Sequence, residues 1–240
     1  MNITKRIAHS GLCSRRDAKK LVIEGYVKVN NIVVRSPTTK VEPEDNISVK
    51  NKSLKVADCP KIWIFNKPTG FLSTNHDPDN RPTIFDILPK NIGRLISVGR
   101  LDMNSEGLIL LTNNGDLARY LELPKNHIKR KYQVRVFGDL NLSRLNNLSK
   151  GCEIEGTRYG KIDVNVLKQS NSNSWLEIEL EEGKNREIRK VLAHIGLKIS
   201  RLKRVKYGGY DLGNIKKGEI KEVIIQKEIY ENYLRETQGS

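Results

Sequence analysis

One short stretch of the chain crowds reactive side chains together. Arg100, Asp102, Ser105 and Glu106 fall within seven residues, in a polar segment with two glycines that lies between two apolar runs. Polar loops at strand ends are where reactive groups sit on a rigid scaffold. Three chemistries fit these residue types. Asp102 and Glu106 suit the paired carboxylates of a glycosidase. Arg100 and Asp102 suit a structural ion pair within a turn. Asp102 alone suits attack on a nucleotide held by basic surroundings. The local sequence leaves all three open.

Two distant segments supply the basic surroundings. Lys129-Arg130-Lys131 runs directly into Tyr132, ahead of an apolar strand pattern. A tyrosine amid three cations can stack on a base while the cations hold its phosphates; the plainer alternative is a tyrosine packed at a strand edge. From 184 to 206 there are nine Lys/Arg, including Lys184, Arg186, Arg189, Arg201 and Arg204, against the one acid Glu187. Such a run needs an anion or wide solvation. Arg189 follows an apolar residue near a helix start, placing it to turn inward toward a carboxylate. His194 reads as a packed or surface helix residue rather than a catalyst.

The elements that must position these groups follow from periodicity. Residues 62–65 read as a buried strand ending at a Pro/Gly turn, 66–70. Residues 73–82 are a loop rich in Asn, Asp and Pro, and Thr83 caps a short helix reaching 88. The apolar run 108–111 is a strand leading into the turn 112–115. Residues 134–137 form a strand containing Arg135, and 175–180 alternate as a half-buried strand. A turn at 183–186 opens a helix over 187–195 with Ile188, Val191, Leu192 and Ile195 on its apolar face.

Composition narrows the partner. The 240 residues carry a formal charge of +15, so a polyanion is the default partner, because neutralising a phosphate backbone releases condensed counterions. Residues 1–58 hold 12 Lys/Arg and 6 Asp/Glu, about twice the net charge density of the remainder, which suggests a dedicated N-terminal binding module. Cys13, Cys59 and Cys152 match no metal-ligand spacing, and an odd count without CxxC points to a reducing compartment. No apolar run approaches a membrane span. The expectation is a cytoplasmic chain with no membrane association.

Within the module, Ile3, Ile7 and Ala8 suggest a helix stopped by Ser10-Gly11. Ser14 looks like an N-cap with Asp17 as its capping-box partner, and Gly25 looks like the residue just past the helix end. Ala18, Leu21 and Val22 share the inner face; Arg15, Arg16, Lys19 and Lys20 share the outer one. Strands at 27–29 and 32–34 flank Asn30-Asn31, a pair that tolerates the positive φ of a tight hairpin. A third strand lies near 47–49.

This stretch, from Gly11-Leu12-Cys13-Ser14-Arg15-Arg16-Asp17-Ala18 through Gly25-Tyr26-Val27-Lys28-Val29-Asn30, resembles an S4-like RNA-binding domain. The resemblance implies that Arg15, Arg16, Lys19 and Lys20 contact structured RNA. Further on, Gly99-Arg100-Leu101-Asp102 with Ser105, Gly107-Leu108 and Thr112-Asn113 resembles the signature of the RsuA/RluB family of ribosomal RNA pseudouridine synthases. Lys67-Pro68-x-Gly70, Lys131-Tyr132-x-Val134 and residues 182–189 fit the same family in order and spacing. The family usually has Thr at position 105 and Asp at position 114, where this chain has Ser105 and Asn114. Residues 134–138 resemble the RluB branch, which acts on large-subunit rRNA; the small-subunit enzymes share the main motifs.

The polar linker 51–60, broken by Pro60, places the domain boundary, and the expected architecture is α+β: a small S4-like α/β domain over 1–58 and a catalytic domain over 59–240, built on a mixed, largely antiparallel sheet with flanking helices. The resemblance implies isomerisation of uridine to pseudouridine without cofactor or metal, by a monomer acting on ribosomal RNA or a pre-ribosomal particle. Asp102 would be the catalytic carboxylate, Tyr132 the base-stacking residue and Arg189 the cation paired with Asp102. Lys67, Arg100, Lys129, Arg130, Lys131, Lys184, Arg186, Arg201 and Arg204 would hold RNA, and Glu106 would keep only a structural role.

Overall fold

The computed structural model describes residues 1–75, 77–170 and 173–238; position 76, within the loop expected over 73–82, lies outside them. The chain divides into two compact units: Met1–Lys61 with Pro89–Ile96 and Asn113–Gly115, and the remainder.

In the first unit, α1 (Ile3–His9) and α2 (Arg15–Ile23) pack on a four-stranded antiparallel sheet of β1 (Val27–Val29), β2 (Ile32–Val34), β3 (Ile47–Val49) and β4 (Lys52–Ser53), in the order β2-β1-β3-β4. The Ser14 hydroxyl accepts the Asp17 N–H at 3.1 Å and lies 2.6 Å from the Asp17 carboxylate, which starts α2 as expected. Asn30 and Asn31 have φ of 49° and 69°, the two successive left-handed residues that a two-residue hairpin loop requires. Ile3, Ile7, Ala18, Val22 and Val27 are fully buried. Arg15, Arg16, Lys19 and Lys20 all remain exposed on α2.

The second unit contains, apart from the first residue of β6 and of α3, the elements β5 (Ile62–Lys67), β6 (Ile96–Val98), β7 (Glu106–Thr112), α3 (Gly115–Glu122), β8 (Arg130–Phe137), α4 (Leu142–Asn147), β9 (Cys152–Ile154), β10 (Thr157–Tyr159), β11 (Ile162–Lys168), β12 (Asn173–Leu180), α5 (Glu187–His194), β13 (Lys198–Tyr207), β14 (Tyr210–Asp211), β15 (Ile220–Val223) and α6 (Lys227–Gln238). Seven strands form the main path, β11-β12-β8-β13-β7-β5-β15; β14 pairs with β13 and β6 with β7. Along that path β13 and β7 pair in parallel and the other pairings are antiparallel.

That parallel seam is where the chain most needs a glycine. Gly107 has φ +100°, and a β-carbon there would overlap the Arg204 carbonyl oxygen of β13. Glycine at 107 lets β7 begin beside β13 directly after the polar loop. The core under β8, β12 and β13 contains Val134, Val136, Leu176, Ile178 and Leu202, closed by Ile188, Val191 and Leu192 of α5. The helical periodicity read over 187–195 therefore does bury its apolar face. The short helix after Thr83 is a single 3-10 turn, Ile84–Asp86, closed by a reciprocal Thr83/Asp86 capping box.

Candidate active site

The second unit opens a cleft of about 1110 Å³. Its lining includes Asp102, Tyr132, Arg186, Arg189 and Arg204, so groups from four separate segments converge there. Asp102 sits in the loop between β6 and β7 and is about one-third exposed. Ser105 N–H donates to Asp102 O at 3.0 Å, closing a tight turn. Gly70 N–H donates to Met103 O at 2.9 Å, tying that turn to the end of β5.

Lys67 does the rest of the tying. Its side chain is fully buried, and its ammonium donates to the carbonyls of Pro68 (3.0 Å), Asp102 (3.1 Å) and Ser105 (2.8 Å). Burial pulls its pKa down to about 8, against the opposing pull of Asp102 and Glu106. The expected phosphate contact at Lys67 is thus corrected: the ammonium has no path to RNA and instead organises the Asp102 loop from beneath.

Two arginines face the Asp102 carboxylate. Arg186 Nη1 lies 3.4 Å and Arg189 Nε 3.7 Å from Asp102 Oδ2. Arg189 also donates through Nη2 to Asn104 O (3.0 Å) and Ser105 Oγ (3.3 Å), so it grips the loop as well as the acid. Burial lowers the Arg189 pKa, with the charge of Arg186 adding and that of Asp102 opposing. The hydroxyl at 105 is used as an acceptor, which a serine and a threonine both supply.

The turn before α5 delivers both arginines. Lys184 N–H donates to Glu187 Oε2 at 2.9 Å and Glu187 N–H to Lys184 O at 3.1 Å. Arg186 is held in the left-handed region at φ 51°, a conformation uncommon for a side chain of its kind. Glu187 is buried, and burial raises its pKa.

The other sequence-derived residues separate into groups. Tyr132 is nearly buried, lines the cleft, and is paired in register with Arg204 of β13. Arg100 is exposed at the cleft and has no ion pair to Asp102 among the described residues, which removes the turn ion pair from the three chemistries. Glu106 does not line the cleft. It is buried beside Arg201 and Lys217 (2.6 Å); burial pushes its pKa up, and the hydrogen bonds and charges of Lys217 and Arg201 together hold it below the usual value. A glycosidase pair with Asp102 is therefore not formed.

Six more of the expected RNA contacts are already engaged within the protein. Arg130 is buried, donating to the carbonyls of Glu181 and Glu182 and to Tyr207 Oη (3.0 Å). Arg204 is buried with Nε on Leu108 O at 2.6 Å; both arginines stack near the Tyr207 ring. They wall the cleft rather than project from a surface. Lys129 and Lys131 are occupied by Glu179 (3.0 Å) and Glu177 (2.9 Å) of β12. Lys184 lines the cleft but is held by Glu182 and Arg158 O, each at 2.6 Å. Arg201 lies outside the cleft, against Glu106.

Several cleft residues were not singled out from the sequence. Ser73 Oγ exchanges hydrogen bonds with Leu101 (3.1 and 3.2 Å), and Gly99 N–H donates to Glu122 Oε1 at 2.6 Å; both fix the loop carrying Asp102. Asp77 takes Arg81 in a two-point pair, 2.7 and 3.0 Å, on the cleft wall. The i,i+4 spacing of Asp77 and Arg81 was a visible signal; Ser73 and Glu122 carried none.

Known proteins show the same combination. A family model for RNA pseudouridylate synthase matches residues 61–194, and one for the S4 domain matches residues 1–47. An uncharacterised RNA pseudouridine synthase of Rickettsia felis is 46% identical over 221 residues, covering 92% of this chain and 96% of the relative. A ribosomal large subunit pseudouridine synthase B of Salmonella typhi is 37% identical over 219 residues, covering 88% of this chain and 74% of the relative. A crystal structure of a pseudouridylate synthase superposes with a TM-score of 0.67 at 26% identity, covering 96% and 98% of the two chains. With the cleft, the Asp102 loop and the N-terminal module in place, the chain belongs to the RNA pseudouridine synthase family, as an enzyme that carries an S4 domain ahead of its catalytic domain.

Proposed function

We propose that this enzyme isomerises a specific uridine of large-subunit ribosomal RNA, with Asp102 as the catalytic carboxylate. The observation that carries the site assignment is the placement of Asp102 in the cleft, facing Arg186 and Arg189, on a loop anchored by buried Lys67. The likeness to large subunit pseudouridine synthase B of Salmonella typhi favours the large subunit.

The reaction is balanced without outside reagents. The N1–C1′ bond of uridine breaks, the base turns, C5 bonds to C1′, and the C5 proton is exchanged for one on N1. What the protein must supply is one acid group at the sugar, a surface for the base, and enclosure so that the detached uracil is not lost. Asp102 supplies the first. Tyr132, almost wholly within the cleft wall, supplies the second. Arg189, with Arg204 and Arg130 behind it, surrounds the departing base with positive charge that is already in place and needs no reorganisation. Flipping the nucleotide into the cleft costs roughly a few kcal/mol of unstacking, offset by cations outside it, among them Arg15, Arg16, Lys19 and Lys20 of α2.

The test is to map pseudouridines in rRNA from cells with and without this protein. Loss of one large-subunit pseudouridine is expected. Unchanged large-subunit rRNA with a missing small-subunit pseudouridine would reassign the substrate.

A further inference from the structure

Among the described residues, β12, β8 and β13 bury one face and leave alternate side chains of the other partly or fully exposed. Along β8, Tyr132, Val134 and Val136 point into the core, and the alternate positions Gln133, Arg135 and Phe137 point away from it. Antiparallel sheets commonly leave one face to water, so an open face alone implies no partner. Here the charges on it are sorted along the strands.

At one end the charges cancel. Lys129 and Lys131 are held by Glu179 and Glu177, and Lys206 by Asp211 at 3.4 Å. At the other end they do not. A row of paired positions crosses four adjacent strands there: Lys168, Trp175, Arg135 and Arg201. In the next row Phe137 is paired with Lys198. Lys168, Arg135 and Lys198 are exposed and have no ion-pair partner among the described residues. Arg201 lies over the Trp175 ring at 6.0 Å and shares Glu106 with Lys217. Phe137 is 55% exposed, unusual for so large an apolar side chain that no other element covers.

We propose that this end of the open sheet face is a second RNA-binding surface, which takes a single-stranded segment by stacking bases on Trp175 and Phe137 while Lys168, Arg135 and Lys198 hold its phosphates. Tyr132 and Arg135 stand on opposite faces of β8, so the surface lies on the other side of the sheet from the cleft and engages RNA away from the target uridine. The chemistry matches the ligand: aromatic side chains on an open sheet stack successive bases without reading their sequence, and neighbouring cations follow the backbone. A protein partner with an acidic surface would use the cations but leaves the two aromatic side chains unexplained.

The chain has two tryptophans, and Trp63 is buried in β5. Titrating the full-length protein with a 15-nucleotide oligouridylate at low salt is expected to quench tryptophan emission, and Trp175→Phe is expected to abolish that quench. An Arg135→Gln/Lys198→Gln variant changes only exposed side chains. It is expected to bind the oligomer about tenfold more weakly and to flatten the slope of log K against log salt by about 1.4, from roughly 0.7 per lost phosphate contact. Isomerisation at saturating rRNA should equal wild type. A wild-type protein that shows no Trp175-dependent quench, or a double variant with unchanged affinity and salt slope, overturns the proposal. Loss of a protein partner with RNA binding intact would overturn it equally.

Discussion

Lys67→Met isolates what a buried ammonium does for the Asp102 loop. The substitution keeps most of the side-chain volume and deletes the hydrogen bonds to carbonyls, the three shortest being those of Pro68, Asp102 and Ser105, with Met103 O at 3.5 Å. Each carbonyl left unsatisfied costs about 1–3 kcal/mol, so the loss is about 3–9 kcal/mol. Against it stands the charge that need no longer be buried. The fall in pKa from 10.5 to about 8 corresponds to about 3 kcal/mol against the ammonium. The two effects offset in part, and the net destabilisation is about 0–6 kcal/mol. Activity has no such offset. A displacement of about 1 Å of the reacting group costs roughly a hundredfold in rate, so kcat on rRNA should fall at least that far while RNA affinity stays within about twofold. Single-turnover pseudouridine formation and filter binding on the same preparations separate the two. Wild-type kcat in Lys67→Met, or a loss confined to RNA affinity, would refute the anchoring role and restore the phosphate contact expected from the sequence.

The same group predicts a pH dependence. Its folded pKa lies below its unfolded one, so folding is penalised while Lys67 is charged in the native state. That penalty fades as pH rises from about 8 toward 10.5, and stability from this group rises with it. Activity should move the other way, falling through about pH 8 as the ammonium loses a donor, and Lys67→Met should lack that limb in a pH–rate profile. Gly107→Ala should lower the melting temperature by roughly 6–12 °C, because the added carbon meets the Arg204 carbonyl and forces a left-handed φ, together costing about 3 kcal/mol; a melting temperature within 1 °C of wild type would contradict the close approach of β7 and β13. Glu106→Gln should keep kcat within about threefold, since Glu106 faces Arg201 and Lys217 and not the cleft; an activity loss above a hundredfold would return it to the chemistry. Asp77→Ala should leave Arg81 held only by the exposed Asp79 (3.1 Å) and raise KM for rRNA several-fold with kcat little changed, and unaltered KM would show that the pair on the cleft wall does not position RNA.

What could be read from the sequence was local. Asn30-Asn31 with flanking apolar triplets identifies the hairpin, Ser14 and Asp17 start α2, and the spacing of Ile188, Val191 and Leu192 marks the buried face of α5. The family resemblance implied that Asp102, Tyr132 and Arg189 act together, and all three line the cleft. The direction of long cationic side chains was not legible. Lys67 ends a strand whose apolar residues say nothing about where its ammonium turns, and only the pairing of β5 with β7 buries it under the loop. The cation-rich run 184–206 looks like one surface, yet it crosses a helix and a strand. Unbroken alternation from 201 to 204 along β13 sends Arg204 to the cleft and Arg201 to the opposite face. The parallel pairing of β7 with β13 joins residues almost a hundred positions apart, and no local pattern announces it.

The most direct test of the account is Asp102→Asn, assayed with purified protein on large-subunit rRNA under single-turnover conditions. The substitution preserves size while removing the charge that faces Arg186 and Arg189 and replacing one acceptor oxygen by an NH2 donor. The account predicts no detectable pseudouridine, with RNA affinity and melting temperature near wild type. Pseudouridine formed at a rate within tenfold of wild type would contradict it.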